Sequence, residues 1–409
     1  MTRPLAVAAR ALVPPFQVMD ILARVAQLRA SGRSVISLCA GEPGGGAPSG
    51  VSARAAAIHA AGTPLTYTPA LGITELREAI AGHYRRWYGL DVPARNVAVT
   101  TGSSGAFMLL FLAAFNAGDR VALARPGYPA YKNILRALGV EVVELDCGPG
   151  TRFQPTPGLL DAAVREHGPL AGLVLASPAN PTGTMVTRSE LTALTHWCAE
   201  NSARLISDEI YHGITYPAPN APDPRGVCAW EADISGAVIS SFSKYWGMTG
   251  WRLGWALVPD DLIDAVDALA GNVALCPPAP AQMAAVEAFS EASYAEAEAF
   301  VSEFSLSREF LLGSLDRLCW GDAAPADGAF YLYADLGPAM AGFADSAAYC
   351  SALLEAEGVA VVPGLDFDAV GGGRTVRLSF AAGLDAVQAG VERIVRFQDG
   401  RAGAVGAES

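Results

Sequence analysis

From Asn96 onward, short β-branched runs alternate with helical patterns, and this alternation restricts the available folds more than any other feature. Runs with high strand preference stand at 97–101, 120–125, 140–145, 173–177, 204–207, 237–241 and 253–258. Helical patterns at 105–116, 129–138, 159–166 and 189–201 lie between them. Strand–helix–strand order is satisfied by parallel strands joined through crossover helices that cover both faces of one sheet. The expected fold is therefore α/β, with a large domain built on a mainly parallel seven-stranded sheet flanked by helices.

The remainder reads as a smaller α/β domain. Residues 280–318 form one long helical pattern, either bent or divided in two. Strands follow at 329–334, 359–362 and 375–379, with helices at 346–357 and 384–397. The expected organisation is an N-terminal segment 1–45 joining the small domain, a large domain 46–280 and a small C-terminal domain 281–409.

With 51% hydrophobic residues among 409, the chain can bury a large core. Its net charge of −13 disfavours nucleic acid and anionic membranes as partners. The seven cysteines are scattered and odd in number, which points to a reducing cytoplasm rather than a disulfide framework. No spaced Cys or His cluster suggests a metal. Arg3, Arg10, Arg24 and Arg29, with Pro14-Pro15, rule out a signal peptide pattern. The uncharged stretch 96–118 opens with a strand and a turn, so it reads as soluble.

The segment Ser241-Phe242-Ser243-Lys244, followed by Arg252 eight residues after the lysine, carries the most specific chemistry. A lysine captures a carbonyl only when burial or neighbouring cations lower its pKa. Lys244 and Arg252 are the only cations between Ile239 and Val258, in an otherwise apolar run. Ser241, Ser243 and Arg252 are suited to a phosphate. An amine for an aldehyde beside a phosphate clamp is what pyridoxal 5'-phosphate requires.

Other strand ends supply matching groups. Ser103, Ser104 and Gly105 follow a strand and open a helix, making an anion site or an ordinary serine N-cap. Asp208 ends a strand where ligands of open α/β sheets sit. It suits a pyridine nitrogen, or equally a turn cap. Tyr211 reaches the same place only if the strand stops near Asp208. Asn180 leaves another strand into a turn, and Tyr128 presents a ring able to stack on a flat cofactor. Arg377 lies within an alternating strand, either on its solvent face or as a bidentate clamp for a carboxylate.

In order, Gly41-Glu42-Pro43, Tyr67, Gly72 to Arg77, Asn180 to Gly183, Asp208 to Tyr211, Ser241 to Lys244, Gly250 to Gly254 and Arg377 to Phe380 resemble motifs of the class I/II aminotransferases. These are fold-type I, pyridoxal-phosphate-dependent enzymes similar to aspartate aminotransferase. The resemblance implies that Lys244 holds the cofactor as a Schiff base and shuttles the proton, Asp208 pairs with the ring nitrogen, and Tyr211 and Asn180 hold the ring oxygen. It implies that Tyr128 stacks on the ring and that Ser103, Ser104, Gly105, Ser241, Ser243 and Arg252 bind phosphate. Tyr67 would reach the phosphate of a second subunit, giving a homodimer with composite sites. Arg377, near Gly41 and Asn180, would clamp the substrate α-carboxylate.

Glycines 44–46 and the segment 274–277 depart from the family pattern where side-chain specificity and subunit contacts are decided. The expected activity is amino transfer between an L-amino acid and a 2-oxo acid. A lyase on the same fold, for example one eliminating from a sulfur amino acid, and a non-catalytic binding protein are the alternatives.

Overall fold

The computed structural model describes residues 5–218 and 221–407; residues 1–4 and 408–409, at the outer ends of the two terminal segments expected above, lie outside the described residues. Among the described residues twelve strands run in chain order: β1 (Ile36–Ser37), β2 (Val97–Thr100), β3 (Arg120–Arg125), β4 (Glu141–Asp146), β5 (Gly172–Ala176), β6 (Arg204–Asp208), β7 (Ala237–Ser241), β8 (Gly254–Leu257), β9 (Tyr331–Asp335), β10 (Val359–Ala360), β11 (Val362–Pro363) and β12 (Thr375–Ser379). Seven of them form one sheet in the order β2-β8-β7-β6-β5-β3-β4. All neighbours are parallel except β8, which runs antiparallel to both β2 and β7.

The lack of a crossover helix accounts for the exception. Parallel neighbours need a crossover of a dozen or more residues, usually helical. Between β7 and β8 the chain forms only a 3-10 turn at Thr249–Trp251, so it doubles back.

Side-chain alternation divides the strands between two cores. Val97, Val99, Leu173, Leu175, Leu205, Val238, Trp255 and Leu257 face one core, whereas Ala98, Val121, Leu123, Val174, Ile206, Ile239 and Ala256 face the other. A sheet buried on both faces gives such near-continuous apolar strands. The edge strand β4 instead exposes Glu141, Glu144 and Asp146, charges that discourage further strand pairing.

The helices Gln17–Ala30, Ser49–Ala60, Thr74–Tyr88 and Ile263–Val273, and the short Ala229–Ala232, were not among the sequence expectations. The expected stretch 280–318 is divided into Ala279–Ala285, a 3-10 turn Val286–Phe289, Glu291–Gly313 and Leu315–Leu318. Ser290 caps the longest of these, accepting from the Ser293 N–H. The expected strand 359–362 is two short strands that serve different sheets: β10 pairs in parallel with β1, and β11 joins the antiparallel order β11-β12-β9. Among the described residues no helix is long and apolar enough to cross a membrane.

One close approach links this fold to the site. A Cβ on Gly254 would lie 2.7 Å from the Ser103 nitrogen and 2.9 Å from the Ser240 oxygen, both backbone atoms. Gly254→Ala is expected to lower stability by about 1–3 kcal/mol through overpacking. Gly82, exposed in a helix with nothing within 4 Å of its Cβ position, is expected to gain about 0.5–1 kcal/mol on the same change. Urea unfolding of both variants checks the contrast; equal shifts would remove the steric account.

Candidate active site

The parallel strands β3, β5, β6 and β7 deliver their carboxyl ends to one edge of the sheet, where open α/β folds place ligands. Asp208 is the last residue of β6, and Lys244 stands three residues beyond β7. The strand does stop at Asp208, and the turn that follows carries Tyr211.

Lys244 is half-buried, and its Nζ donates to the Gly41 carbonyl at 2.6 Å. The same nitrogen lies 5.8 Å from the centre of the Tyr211 ring. Burial lowers its pKa to about 8, with Arg377 and Arg252 acting in the same direction and Glu42 and Asp208 opposing. Much of the amine is therefore neutral at mildly alkaline pH, as nucleophilic attack on a carbonyl requires.

Asp208 is buried, and both carboxylate oxygens are engaged. One accepts from the Tyr131 hydroxyl and the other from the Ile210 N–H at 3.1 Å. The turn-capping alternative is thus realised together with the site position. Burial pushes the carboxyl up to about 6, although Tyr131, the Ile210 N–H and Lys244 pull it down. Tyr211 meets the Tyr331 hydroxyl at 2.8 Å, and burial raises its pKa well above the ordinary value.

Arg377 does not lie on a solvent face. It occupies β12, the middle strand of its sheet, and is only 5% exposed. Its Nη1 donates to Asn180 Oδ1 at 2.9 Å and its Nη2 to the Cys39 carbonyl at 2.8 Å. The guanidinium stacks over Tyr331 and Phe367, with its Cζ 4.4 and 4.7 Å from the ring centres. Among the described residues, the buried Nε has no hydrogen-bond partner.

Arg252 adopts φ 52° and donates from Nη1 to the Thr249 carbonyl at 2.9 Å. Its guanidinium packs against Gly102, where an added Cβ would collide with Nη2. Gly102 starts the helix Gly102–Ala114, three residues earlier than the sequence pattern indicated. Ser103, Ser104 and Gly105 therefore form its first turn, and the serine N-cap alternative is not realised. The N-cap is Thr101, whose side chain makes no capping bond. First-turn N–H groups without a capping side chain remain available to an anion. Ser241 and Ser243 are buried and bonded to each other at 2.9 Å.

Tyr128 is half-buried at the start of the helix Pro129–Ala137, with Phe16 stacked on its ring at 6.0 Å. Tyr67 stays apart from the cluster. It is 80% exposed and, among the described residues, makes no hydrogen bond or ring contact with the groups above.

The structure adds Tyr131, Tyr331, Gly102 and the Cys39 carbonyl to this constellation. Tyr131 had a visible signal, since it stands three residues after Tyr128 at a helix start and residues so spaced share a face. Tyr331 had none, because its partners come from segments far away in sequence.

The lowered pKa of Lys244 leads to a direct expectation. Below about 8 the amine is protonated and inert, and above it the amine is free. The rate of acylation at Lys244, followed by peptide mass spectrometry on protein without cofactor, should rise to half its limit near pH 8. A midpoint near 10.5, the ordinary lysine value, would remove the effect of burial.

Comparison with known proteins gives a consistent picture. The model of the family "Aminotransferase class I and II" matches residues 33–394. The chain is 50% identical over 389 residues to the valine–pyruvate aminotransferase of Mycobacterium tuberculosis, covering 95% of this chain and 97% of that protein. It is 34% identical over 384 residues to the aspartate/prephenate aminotransferase of Thermus thermophilus, covering 93% and 96%. A crystal structure of an aminotransferase from Mycobacterium tuberculosis superposes with a TM-score of 0.92 at 48% identity, covering 97% of this chain and all of that one. These relatives are named for amino transfer, which favours that reaction over elimination or a non-catalytic role. Motif order, site geometry and whole-length similarity agree that this chain belongs to the class I and II aminotransferases and is an aminotransferase of fold type I.

Proposed function

We propose that the protein transfers the amino group of an aliphatic L-amino acid, valine being the leading candidate, to a small 2-oxo acid such as pyruvate, using pyridoxal 5'-phosphate carried by Lys244. One observation carries the cofactor assignment. An amine with its pKa lowered to about 8 shares a site with a buried carboxylate and two guanidiniums. The residues present fit the group. The cradle between Gly102 and Arg252 has no room for a Cβ, and the uncapped first turn after it suits a phosphate. Bound there, pyridoxal 5'-phosphate supplies an aldehyde for the substrate amine and a ring that accepts the electron pair released at Cα.

The side chains divide the remaining tasks. Arg252, the N–H groups at Ser103–Gly105 and the hydroxyls of Ser241 and Ser243 would hold the phosphate. Asp208 would pair with the ring nitrogen and favour its protonated form, and Tyr128 would stack on the ring. Asn180 spends its Oδ1 on Arg377 and keeps its amide N–H groups for the ring oxygen, beside Tyr211. Arg377, held by Asn180, Cys39 and two aromatic rings, presents its guanidinium to the substrate carboxylate. Lys244, once its amine is free, would take the proton from the substrate Cα. The Gly41 carbonyl, which already accepts from Lys244, orients the amine for that movement.

The substrate class rests on the 50% identical relative, named for valine and pyruvate, and on Phe16, Tyr128 and Tyr331 as apolar neighbours of the site. We further propose a homodimer with composite sites. Tyr67 and Leu65 are exposed, as are Val273 and Leu275, and Gln282 ties the two loops together through Thr68 and the Pro277 carbonyl. The divisions at 45 and 280 belong to the same proposal, supported at the first by the pairing of β1 with β10. Seven free cysteines, five of them buried, suit a reducing cytoplasm.

Incubation of cofactor-loaded protein with L-valine and pyruvate should yield alanine and the 2-oxo acid of valine in equal amounts. Release of ammonia instead would mean elimination. Borohydride reduction should fix the pyridoxyl group on Lys244. The sequence makes this assignment clean, because only two lysines exist, and the other, Lys132, is paired with Glu144 at 3.0 Å.

The composite site has its own test. Inactive Tyr67→Ala and Lys244→Ala variants, mixed under conditions of proven subunit exchange, should regain activity, since one hybrid site carries neither lesion. Absence of recovery would count against Tyr67 acting across the interface.

A further inference from the structure

We infer that Tyr331 is a positioning residue that couples the carboxylate clamp to the tyrosine beside the cofactor's ring oxygen; this rests on the function proposed above. Tyr331 is 1% exposed on β9, where it pairs with Ser379 of β12. Arg377 lies diagonally across the two strands on the same face, and its guanidinium covers the Tyr331 ring at 4.4 Å. The Tyr331 hydroxyl meets the Tyr211 hydroxyl at 2.8 Å. It would also lie 2.8 Å from a Cβ on Gly41, the residue whose carbonyl accepts from Lys244. One buried ring therefore touches the clamp, the ring-oxygen tyrosine and the backbone that orients the lysine.

The hydroxyl pair has a defined direction once Tyr211 has an acceptor. Tyr211 then donates away from the pair, and the Tyr331 O–H donates to the Tyr211 oxygen. Receiving that bond makes Tyr211 the stronger donor. The charged groups near the pair are Arg377, Lys244 and Asp208. None of them is changed by substituting Tyr331, so the hydroxyl and the ring can be separated. Tyr331→Phe removes the hydrogen bond and keeps the face beneath Arg377, whereas Tyr331→Leu removes both.

Two readouts on cofactor-loaded protein test the inference without measuring turnover. The visible absorbance changes as the nitrogen shared by Lys244 and the cofactor loses its proton, leaving a negative ring oxygen that Tyr211 stabilises. Tyr331→Phe should move that midpoint upward by about half a pH unit or more, the size of one neutral hydrogen bond. The second readout is the Kd of isovalerate, a carboxylate without an amine. It should weaken about fivefold in Tyr331→Leu, as loss of a buried cation–π contact implies, and stay within about twofold in Tyr331→Phe. A wild-type midpoint in Tyr331→Phe would overturn the coupling, as would unchanged isovalerate binding in folded Tyr331→Leu. If Tyr331→Leu does not fold, the midpoint of the phenylalanine variant decides alone. Wild-type protein that takes up no pyridoxal phosphate would instead sink the proposed function first, and this inference with it.

Discussion

The close approach of the Gly102 turn to strand β8 is the constraint on which the site depends. It needs two missing side chains: one at Gly254, where a Cβ would press on the Ser103 nitrogen, and one at Gly102, where it would displace Arg252. It also needs β8 to lie antiparallel between β2 and β7, which a connection without a crossover helix permits. With β2, β8 and β7 adjacent, three segments separated by up to 150 residues meet at one end of the sheet. The start of the apolar helix, the arginine and the lysine become neighbours through backbone pairing alone.

Charge is then managed by burial rather than by number. The protein is acidic overall, yet its site gathers two guanidiniums and an amine. Removing an ammonium from water beside like charges disfavours its protonated form, which brings Lys244 down to about 8. The same desolvation raises Asp208 to about 6, and the Tyr131 hydroxyl limits that rise. Arg377 stays buried because an amide oxygen, a carbonyl and two aromatic faces replace much of its hydration. Its orphaned Nε leaves one donor uncommitted.

Much of this was legible along the chain. The β-branched runs located every strand of the large sheet to within a few residues, because strands buried on both faces are continuously apolar. Asp208, Asn180 and Lys244 were recognisable as groups placed at strand ends, where such sheets bind ligands. The helix Thr74–Tyr88 was missed although its buried Leu76, Ile80, His83 and Tyr84 stand at helical spacing; two of the four are not aliphatic, which weakens the apolar signal. Arg377 was ambiguous for a different reason. Alternation within a strand gives the face of a side chain but not what covers that face.

The sequence by itself determined the α/β layering, the order of the motifs and the chemical type of each site group, since those depend on local periodicity and on residue identity. Only the tertiary structure decided which groups touch: that Tyr211 leans on Tyr331, that Asn180 serves Arg377, and that Lys244 points at the Gly41 carbonyl. Each of these contacts joins residues 120 or more positions apart. Strand register and glycine-sized gaps set such distances, and neither is written in any local stretch of the chain.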